Sequence, residues 1–226
     1  WYAKDIAADS IGNLYAVSSG VKKLPKNGSA WDDISYNLGT VSTWSIAIDK
    51  WDNIYVTDIT NNRVLELPQG STTWQDITQG AVFSNLRNIA VSPEGNLYVT
   101  DSGNRIKEHI VGTSTWQDFT FGESFISPRG ITFDRYGNMY VSDLGSRTIK
   151  MHQAPVKELQ WQTEPAGYKD RVLHQQPAVK LADANGFAQV GDNTHKVTLS
   201  LNSDNGAVMS GTKTVTLVKG VSTFTD

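Results

Sequence analysis

The stretch Asn96-Leu97-Tyr98-Val99-Thr100-Asp101 decides the fold, because similar segments occur four times in the chain. Asn-x-Tyr begins each copy, at residues 13–15, 53–55, 96–98 and 138–140, so the copies start 40, 43 and 42 residues apart. Each copy has an apolar alternation, a turn, a second strand and a third strand, and the first three copies end in Trp-x-Asp. A repeat of this length with roughly four short strands is typical of β-propeller blades.

The turn in front of each Asn-x-Tyr supports antiparallel strands. Gly12, Gly95 and Gly137 precede the Asn in three copies, and Asp52 takes this place in the second. A tight reversal between antiparallel strands needs positive φ, which Gly and Asn adopt at little cost. Many Val, Ile, Thr and aromatic residues accompany these turns, so we predict an all-β chain.

Three tryptophans share one repeat position, ten residues after Val21, Val64 and Ile106. We interpret them as packing residues that fill the space between neighbouring blades. They are Trp31, Trp74 and Trp116.

Composition excludes several classes of function. The net charge of the 226 residues is -3 and no run of Lys or Arg exceeds two, which argues against nucleic-acid and membrane-surface partners. The absence of cysteine removes disulfides and thiolate chemistry. No apolar run is long enough for a membrane span, so we expect no membrane insertion.

The fourth copy carries the clearest family signature. Residues 127–134 read Ser-Pro-Arg-Gly-Ile-Thr-Phe-Asp, and residues 137–143 read Gly-Asn-Met-Tyr-Val-Ser-Asp. Together with Arg147 they resemble the NHL repeat, and the second and third copies match over residues 46–63 and 88–105. The resemblance covers about two thirds of the chain and implies a propeller of roughly five to seven blades. Only four copies are visible, and the fourth lacks the Trp-x-Asp strand expected near residue 159, so we expect the natural protein to continue before Trp1.

The repeat pattern ends after about residue 153, which predicts propeller blades over 1–153 and a second module over 154–226. Strands are expected at 177–181, 197–201, 212–218 and 221–224, separated by Asp- and Asn-rich turns. The segments 176–186 and 220–226 resemble bacterial immunoglobulin-like repeats of surface proteins. In that family further strands follow, so the sandwich is expected to be truncated, or completed by strand donation from another chain.

Acidic and basic residues recur after the second strand of the later copies. The resemblance implies that each Asp ties the following loop to backbone or to the repeat's Arg by charge-assisted hydrogen bonds. A carboxylate ring that holds a cation is the alternative. The residues are Asp58, Asp101 and Asp143, with Arg63, Arg105 and Arg147.

Other candidates for chemistry are scattered. His109 and His152 hold one repeat position that Leu24 and Leu67 occupy in the first two copies, so packing is the favoured interpretation. Calcium is a possible cofactor in the turns of the second module, where oxygen ligands cluster, although Asx residues are also ordinary turn formers. These turns contain Asp183, Asn185, Asp192, Asp204 and Asn205. No other cofactor, no catalytic residue and no further metal site is predicted.

Three aromatic residues are candidates for binding, with inter-blade packing as the alternative. Trp44 precedes the inner strand of the second copy and is expected near the mouth of the propeller channel. Trp51 and Tyr136 share a position in the inner hairpin turn.

These features predict a non-catalytic binding or structural module, with protein or glycan partners and a tendency to self-assemble. The resemblance implies an extracellular, bacterial cell-surface location. The alternative is a propeller enzyme, a lyase or a glycan-cleaving hydrolase, with its site on the propeller axis.

Overall fold

The computed structural model describes residues 2–154, 158–163, 178–182, 196–199, 214–218 and 221–224. Every regular element in these ranges is a β-strand, so the predicted all-β fold is confirmed. The chain divides into two compact units, Trp1–Gln153 and Ala154–Asp226. No helix of the described ranges has the length and hydropathy needed to cross a membrane.

The first unit contains four antiparallel sheets, in which the strands pair in sequence order. Blade 1 contains β1 (Asp5–Ala8), β2 (Leu14–Val17), β3 (Val21–Leu24) and β4 (Asp32–Asp33). Blade 2 contains β5 (Thr43–Ile48), β6 (Ile54–Asp58), β7 (Arg63–Leu67) and β8 (Gln75–Asp76). Blade 3 contains β9 (Leu86–Val91), β10 (Leu97–Asp101), β11 (Arg105–His109) and β12 (Trp116–Phe119). Blade 4 contains β13 (Pro128–Phe133), β14 (Met139–Asp143) and β15 (Thr148–His152).

The Asn-x-Tyr motif recurs because it closes the turn between the first two strands of a blade. The carboxylate of Asp49 accepts hydrogen bonds from the Asn53 backbone N, Asn53 Nδ2 and the Tyr55 hydroxyl at 2.9, 2.8 and 3.0 Å. Asn53 Oδ1 then accepts a bond from Gln69 N at 2.9 Å, which ties the turn to the loop after β7. Equivalent contacts form around Asp9 in blade 1 and Asp134 in blade 4.

Apolar side chains fill the spaces between successive blades. Val17 and Val56 belong to one buried cluster, between blades 1 and 2. Leu86 and Val99 belong to the next, and Ile131 and Val141 to the third. Burial of each such side chain is worth roughly 1.5–3 kcal/mol, so each sheet is stabilised by its neighbours.

The second unit contains two small antiparallel sheets. One pairs β16 (Glu158–Thr163) with β17 (Ala178–Ala182) and β17 with β20 (Val221–Thr223). The other pairs β18 (Lys196–Thr198) with β19 (Thr214–Thr216). Val179, Val197, Leu217 and Phe224 form a buried cluster with contributions from both sheets. Each predicted strand of this module overlaps an observed one, and the immunoglobulin-like assignment stays a prediction.

Candidate binding site on the propeller axis

The innermost strands of blades 2, 3 and 4 each contain a β-bulge near their first residue. In β5 the register shifts between Thr43 and Ile46, so that Trp44 and Ser45 lie opposite Thr57 alone. The same shift places Arg87 and Asn88 opposite Thr100, and Arg129 and Gly130 opposite Ser142. A bulge bends the strand and redirects its side chains. In blades 2, 3 and 4 the bulge therefore places one repeat position at the start of the innermost strand, next to the propeller axis.

Hydroxyl groups hold these bulges in place. Thr57 Oγ1 accepts a hydrogen bond from Ser45 N at 3.1 Å and donates one to the Arg87 carbonyl of the next blade at 3.0 Å. Thr100 repeats both contacts one blade further on, with Asn88 N at 3.1 Å and the Arg129 carbonyl at 2.7 Å. The backbone that carries Arg87 and Arg129 is therefore fixed by the preceding blade.

Three of these bulge residues, together with Lys4 just before β1, form a group that we call the axial ring: Lys4, Trp44, Arg87 and Arg129. They occupy one repeat position, nine residues before the Asn of each copy. Lys4 Nζ lies 5.3 Å from the centre of the Trp44 ring, and the Arg87 guanidinium carbon lies 6.0 Å from it. Cations at these distances from an indole are attracted by the negative face of the ring, so Trp44 holds one cation from each neighbouring blade.

The axial ring carries uncompensated positive charge. Burial lowers the pKa of Arg87, and the nearby charge of Arg129 lowers it further. Arg87 Nε is buried and has no hydrogen-bond partner among the described residues. Lys4 Nζ donates to Ser42 Oγ and the Thr43 carbonyl at 3.1 and 3.2 Å. None of the three cations forms an ion pair with a carboxylate in the described ranges, which favours an anion as their partner.

The three predicted binding aromatics lie at two different ends of the propeller. Trp44 stands at the start of β5, in the axial ring, and its binding role stays a prediction. Trp51 lies in the turn after β5, at the opposite end of that strand. Its ring lies against Gly95 of blade 3, where an added Cβ would approach the indole to 2.7 Å. Tyr136 takes the equivalent turn of blade 4, beside the guanidinium of Arg135 at 4.7 Å.

A cavity of about 260 Å³ lies at this second end of the inner strands, bordered by Ile48, Val91 and Phe133. Its charged neighbours are Asp49, Lys50, Asp134 and Arg135. The carboxylates of Asp49 and Asp134 already accept hydrogen bonds within the inner turns.

The recurring Asp residues stabilise the loops that follow the second strand of their blades. Arg63 Nε lies 3.0 Å from Asp58 Oδ2, and Arg105 Nη2 lies 2.7 Å from Asp101 Oδ2, with both carboxylates fully buried. Burial raises the pKa of Asp58, but hydrogen bonds from Asn61 and Arg63 outweigh this and leave it below its ordinary value.

Arg147 does not share the position of Arg63 and Arg105, which corrects the sequence alignment. Asp143 pairs with Thr148 across β14 and β15, as Asp58 pairs with Arg63 across β6 and β7. Asp143 instead accepts bonds from the backbone N of Ile126 and Ser127. Arg147 lies one residue earlier, in the left-handed region at φ 57°, where the other blades have Asn62 and Asn104.

Trp74 and Trp116 each lie between their own blade and the preceding one. Trp74 Nε1 donates to the Ile34 carbonyl of blade 1 at 2.9 Å, and Trp116 Nε1 donates to the Ile77 carbonyl of blade 2 at 2.8 Å. Trp31, in blade 1, is 41% exposed.

The two candidate histidines lie on third strands, away from the axis. His109 packs against Trp116 at 5.1 Å and His152 against Phe121 at 4.7 Å between ring centres. Burial lowers the pKa of both imidazoles. The candidate calcium ligands of the second module lie outside the described residues: Asp183, Asn185, Asp192, Asp204 and Asn205. The described ranges contain no cluster of three or more His, Cys, Asp or Glu residues suited to a metal ion.

Sequence reasoning identified Trp44 but missed the three cations around it. Lys4, Arg87 and Arg129 are common surface residue types, and none stands out alone. The signal is their shared offset from the Asn of each copy, which becomes visible only when the four repeats are aligned position by position.

Fold and site define a β-propeller with a cationic axial end. No family model and no curated protein matches the sequence. Among solved structures, a streptogramin B lyase has a TM-score of 0.56 at 12% identity, over 82% of this chain and 66% of the lyase. A virginiamycin B lyase from Staphylococcus aureus, a catalytically inactive histidine-to-alanine variant with quinupristin, has a TM-score of 0.55 at 13% identity, over 80% of this chain and 63% of the lyase. A gluconolactonase from Xanthomonas campestris has a TM-score of 0.53 at 17% identity, over 66% of this chain and 57% of that enzyme.

These likenesses correct the prediction that the chain is not an enzyme, because the similar propellers include lyases and gluconolactonases. At identities of 12–17% they show the propeller fold alone. The chain spans 63% of the length of the virginiamycin B lyase.

Proposed function

We propose that this chain is part of a propeller enzyme, a lyase, whose substrate binds at the axial ring. The observation that carries the proposal is that Lys4 and Arg87 both contact Trp44, with Arg129 close to Arg87, at one end of the inner strands. Structural likeness to propeller lyases supports the class of enzyme.

The residues of the axial ring favour elimination over glycoside hydrolysis. A glycoside hydrolase needs two carboxyl groups beside the scissile bond, one of them as a general acid. The four ring positions carry Lys, Trp, Arg and Arg. The adjacent Asp5 carboxylate accepts hydrogen bonds from Ser45 Oγ and Ile46 N, at 2.7 and 3.0 Å, and so serves the blade interface.

A β-elimination beside a carboxylate would use fixed cations directly. A base removes the proton on the carbon that bears the carboxylate, the C–H electron pair becomes the new C=C bond, and the bond to the leaving oxygen breaks. Negative charge builds up on the carboxylate before the leaving group departs, and preorganised cations stabilise it. Lys and Arg side chains are donors without acceptor atoms, so we assign Lys4, Arg87 and Arg129 to binding and charge stabilisation and leave proton transfer to another group.

The test is an assay of the full chain on polygalacturonate, alginate and a neutral glucan. A lyase produces unsaturated ends, which absorb in the ultraviolet, together with reducing ends, whereas a hydrolase produces reducing ends alone. We expect unsaturated product from an acidic glycan. Reducing ends without ultraviolet absorbance, or no product from any of the three, would overturn the proposal. A cell-surface location remains a prediction and is not needed for this test.

A further inference from the structure

The axial ring presents guanidinium groups that no residue of the described ranges neutralises. Arg87 and Arg129 come from neighbouring blades and are close enough for the charge of one to act on the other. Arg129 is exposed, and Arg87 is half-buried with its Nε unpartnered. Two like charges held together by fixed backbone are unfavourable unless an anion offsets them.

Hydrogen bonds from the preceding blade hold the backbone of both arginines in place. The carbonyls of Arg87 and Arg129 accept bonds from Thr57 and Thr100 at 3.0 and 2.7 Å. The side chains therefore have fixed origins, and their planar guanidinium groups match the geometry of a carboxylate by paired hydrogen bonds.

Lys4 extends the site to a third blade. Its ammonium uses two donors, to Ser42 and Thr43, and an ammonium has three. Trp44, 37% exposed, contacts both Lys4 and Arg87. The three charges come from three different blades, which suits a carboxylate carried on a larger molecule better than a single small ion.

We infer that the axial ring recognises the carboxylate of an acidic sugar chain, with Arg87 and Arg129 as its direct ligands and Lys4 and Trp44 beside them. This inference rests on the proposed function for the place and class of the substrate, and it assigns the residues that bind the substrate's carboxylate.

The test is isothermal titration of the full chain with trigalacturonate, with the neutral galactose trimer and with inorganic phosphate. We expect binding of trigalacturonate that weakens as salt is added, and no measurable binding of the neutral trimer. Arg129→Gln and Arg87→Gln should each weaken binding at least about tenfold, because each removes hydrogen bonds to a charged group. Arg135→Gln removes an exposed charge from the turn after β13, at the opposite end of that strand from Arg129, and should leave binding unchanged.

Equal binding of the neutral trimer, or an equal loss in Arg135→Gln, would overturn the inference. Phosphate that binds as tightly as trigalacturonate would also overturn it and would identify a site for a small free anion. Selective binding without turnover would contradict the lyase proposal and leave the substrate class intact. Turnover of a neutral glycan would leave the proposed enzyme activity intact and contradict the substrate class.

Discussion

Asn88 Nδ2 donates a hydrogen bond to Ser45 Oγ at 2.7 Å, across the boundary between the innermost strands of blades 3 and 2. Ser45 Oγ in turn donates to Asp5 Oδ2 of blade 1 at 2.7 Å. Each side chain also accepts a hydrogen bond from a backbone N–H of the next blade. Asp5 Oδ2, Ser45 Oγ and Asn88 Oδ1 accept from Ile46, Ile89 and Ile131 at 3.0, 3.2 and 3.0 Å. One relay of polar side chains therefore links the four blades directly beside the axial ring.

The relay predicts a loss of stability when the hydroxyl of Ser45, its middle member, is removed. Ser45→Ala deprives Asn88 Nδ2 and Ile89 N of their acceptor and leaves them unpaired near a buried position. We expect the free energy of unfolding to fall by about 2 kcal/mol, measured by urea denaturation. Ser29→Ala, at an exposed loop position, is the control and should change it by less than about 0.5 kcal/mol. A similar effect of both substitutions would refute the role of the relay.

The buried carboxylate of Asp58 predicts a dependence of stability on pH. Hydrogen bonds keep the folded-state pKa of Asp58 below its ordinary value of 3.8. Its contribution is therefore complete above that ordinary value and is lost as pH falls through the lower folded-state pKa. Asp58→Asn should cost about 3 kcal/mol at neutral pH, because it leaves donors without a charged acceptor.

Chemical denaturation at neutral and acidic pH measures both effects. The difference in stability between wild type and Asp58→Asn should shrink in acid. Asp32→Asn, which removes an exposed carboxylate, should follow the wild type at every pH. A constant difference between wild type and Asp58→Asn would show that the charge of Asp58 is not what matters.

Because Trp74 packs between two blades, loss of its indole N–H should lower the free energy of unfolding. Trp74→Phe keeps an aromatic ring but leaves the Ile34 carbonyl without its donor at 2.9 Å. We expect a loss of about 1–2 kcal/mol in thermal or chemical unfolding. Trp31→Phe is the matched control, since Trp31 is 41% exposed, whereas Trp74 is 9% exposed. An equal loss in both would contradict the packing role.

The left-handed backbone at Arg147 predicts a stabilising substitution. A residue with a Cβ is disfavoured by roughly 1–2 kcal/mol in this region, and Gly is not. Arg147→Gly should therefore raise the melting temperature, although the greater freedom of Gly in the unfolded chain reduces the gain. Ser146→Gly, beside it and without positive φ, should lower the melting temperature. A lower value for Arg147→Gly would show that the side chain makes a contribution of its own.

Much of the first unit follows from the sequence because the repeat fixes strand order, turn chemistry and inter-blade packing together. Asn53 and Tyr55 recur for a local reason, and local patterns are visible in a sequence. The axial ring is different, since Lys4 and Arg129 are 125 positions apart and meet only through the closure of the blades. The error at Arg147 has a related cause. Arg105 and Arg147 both follow the recurring Asp by four positions, but the loop before β15 is one residue longer than the loop before β11. Arg147 therefore lies in the loop, whereas Arg105 begins its strand.

The most direct test of the axial site is kcat/KM of the wild type and Arg87→Gln on the acidic glycan that gives unsaturated product. Removal of one preorganised charge from a site of developing negative charge typically costs about a hundredfold or more, so we predict a fall of at least that size. The melting temperature of the variant establishes that the propeller is intact. An intact variant whose kcat/KM stays within about twofold of the wild type would contradict the assignment of the active site to the axial ring.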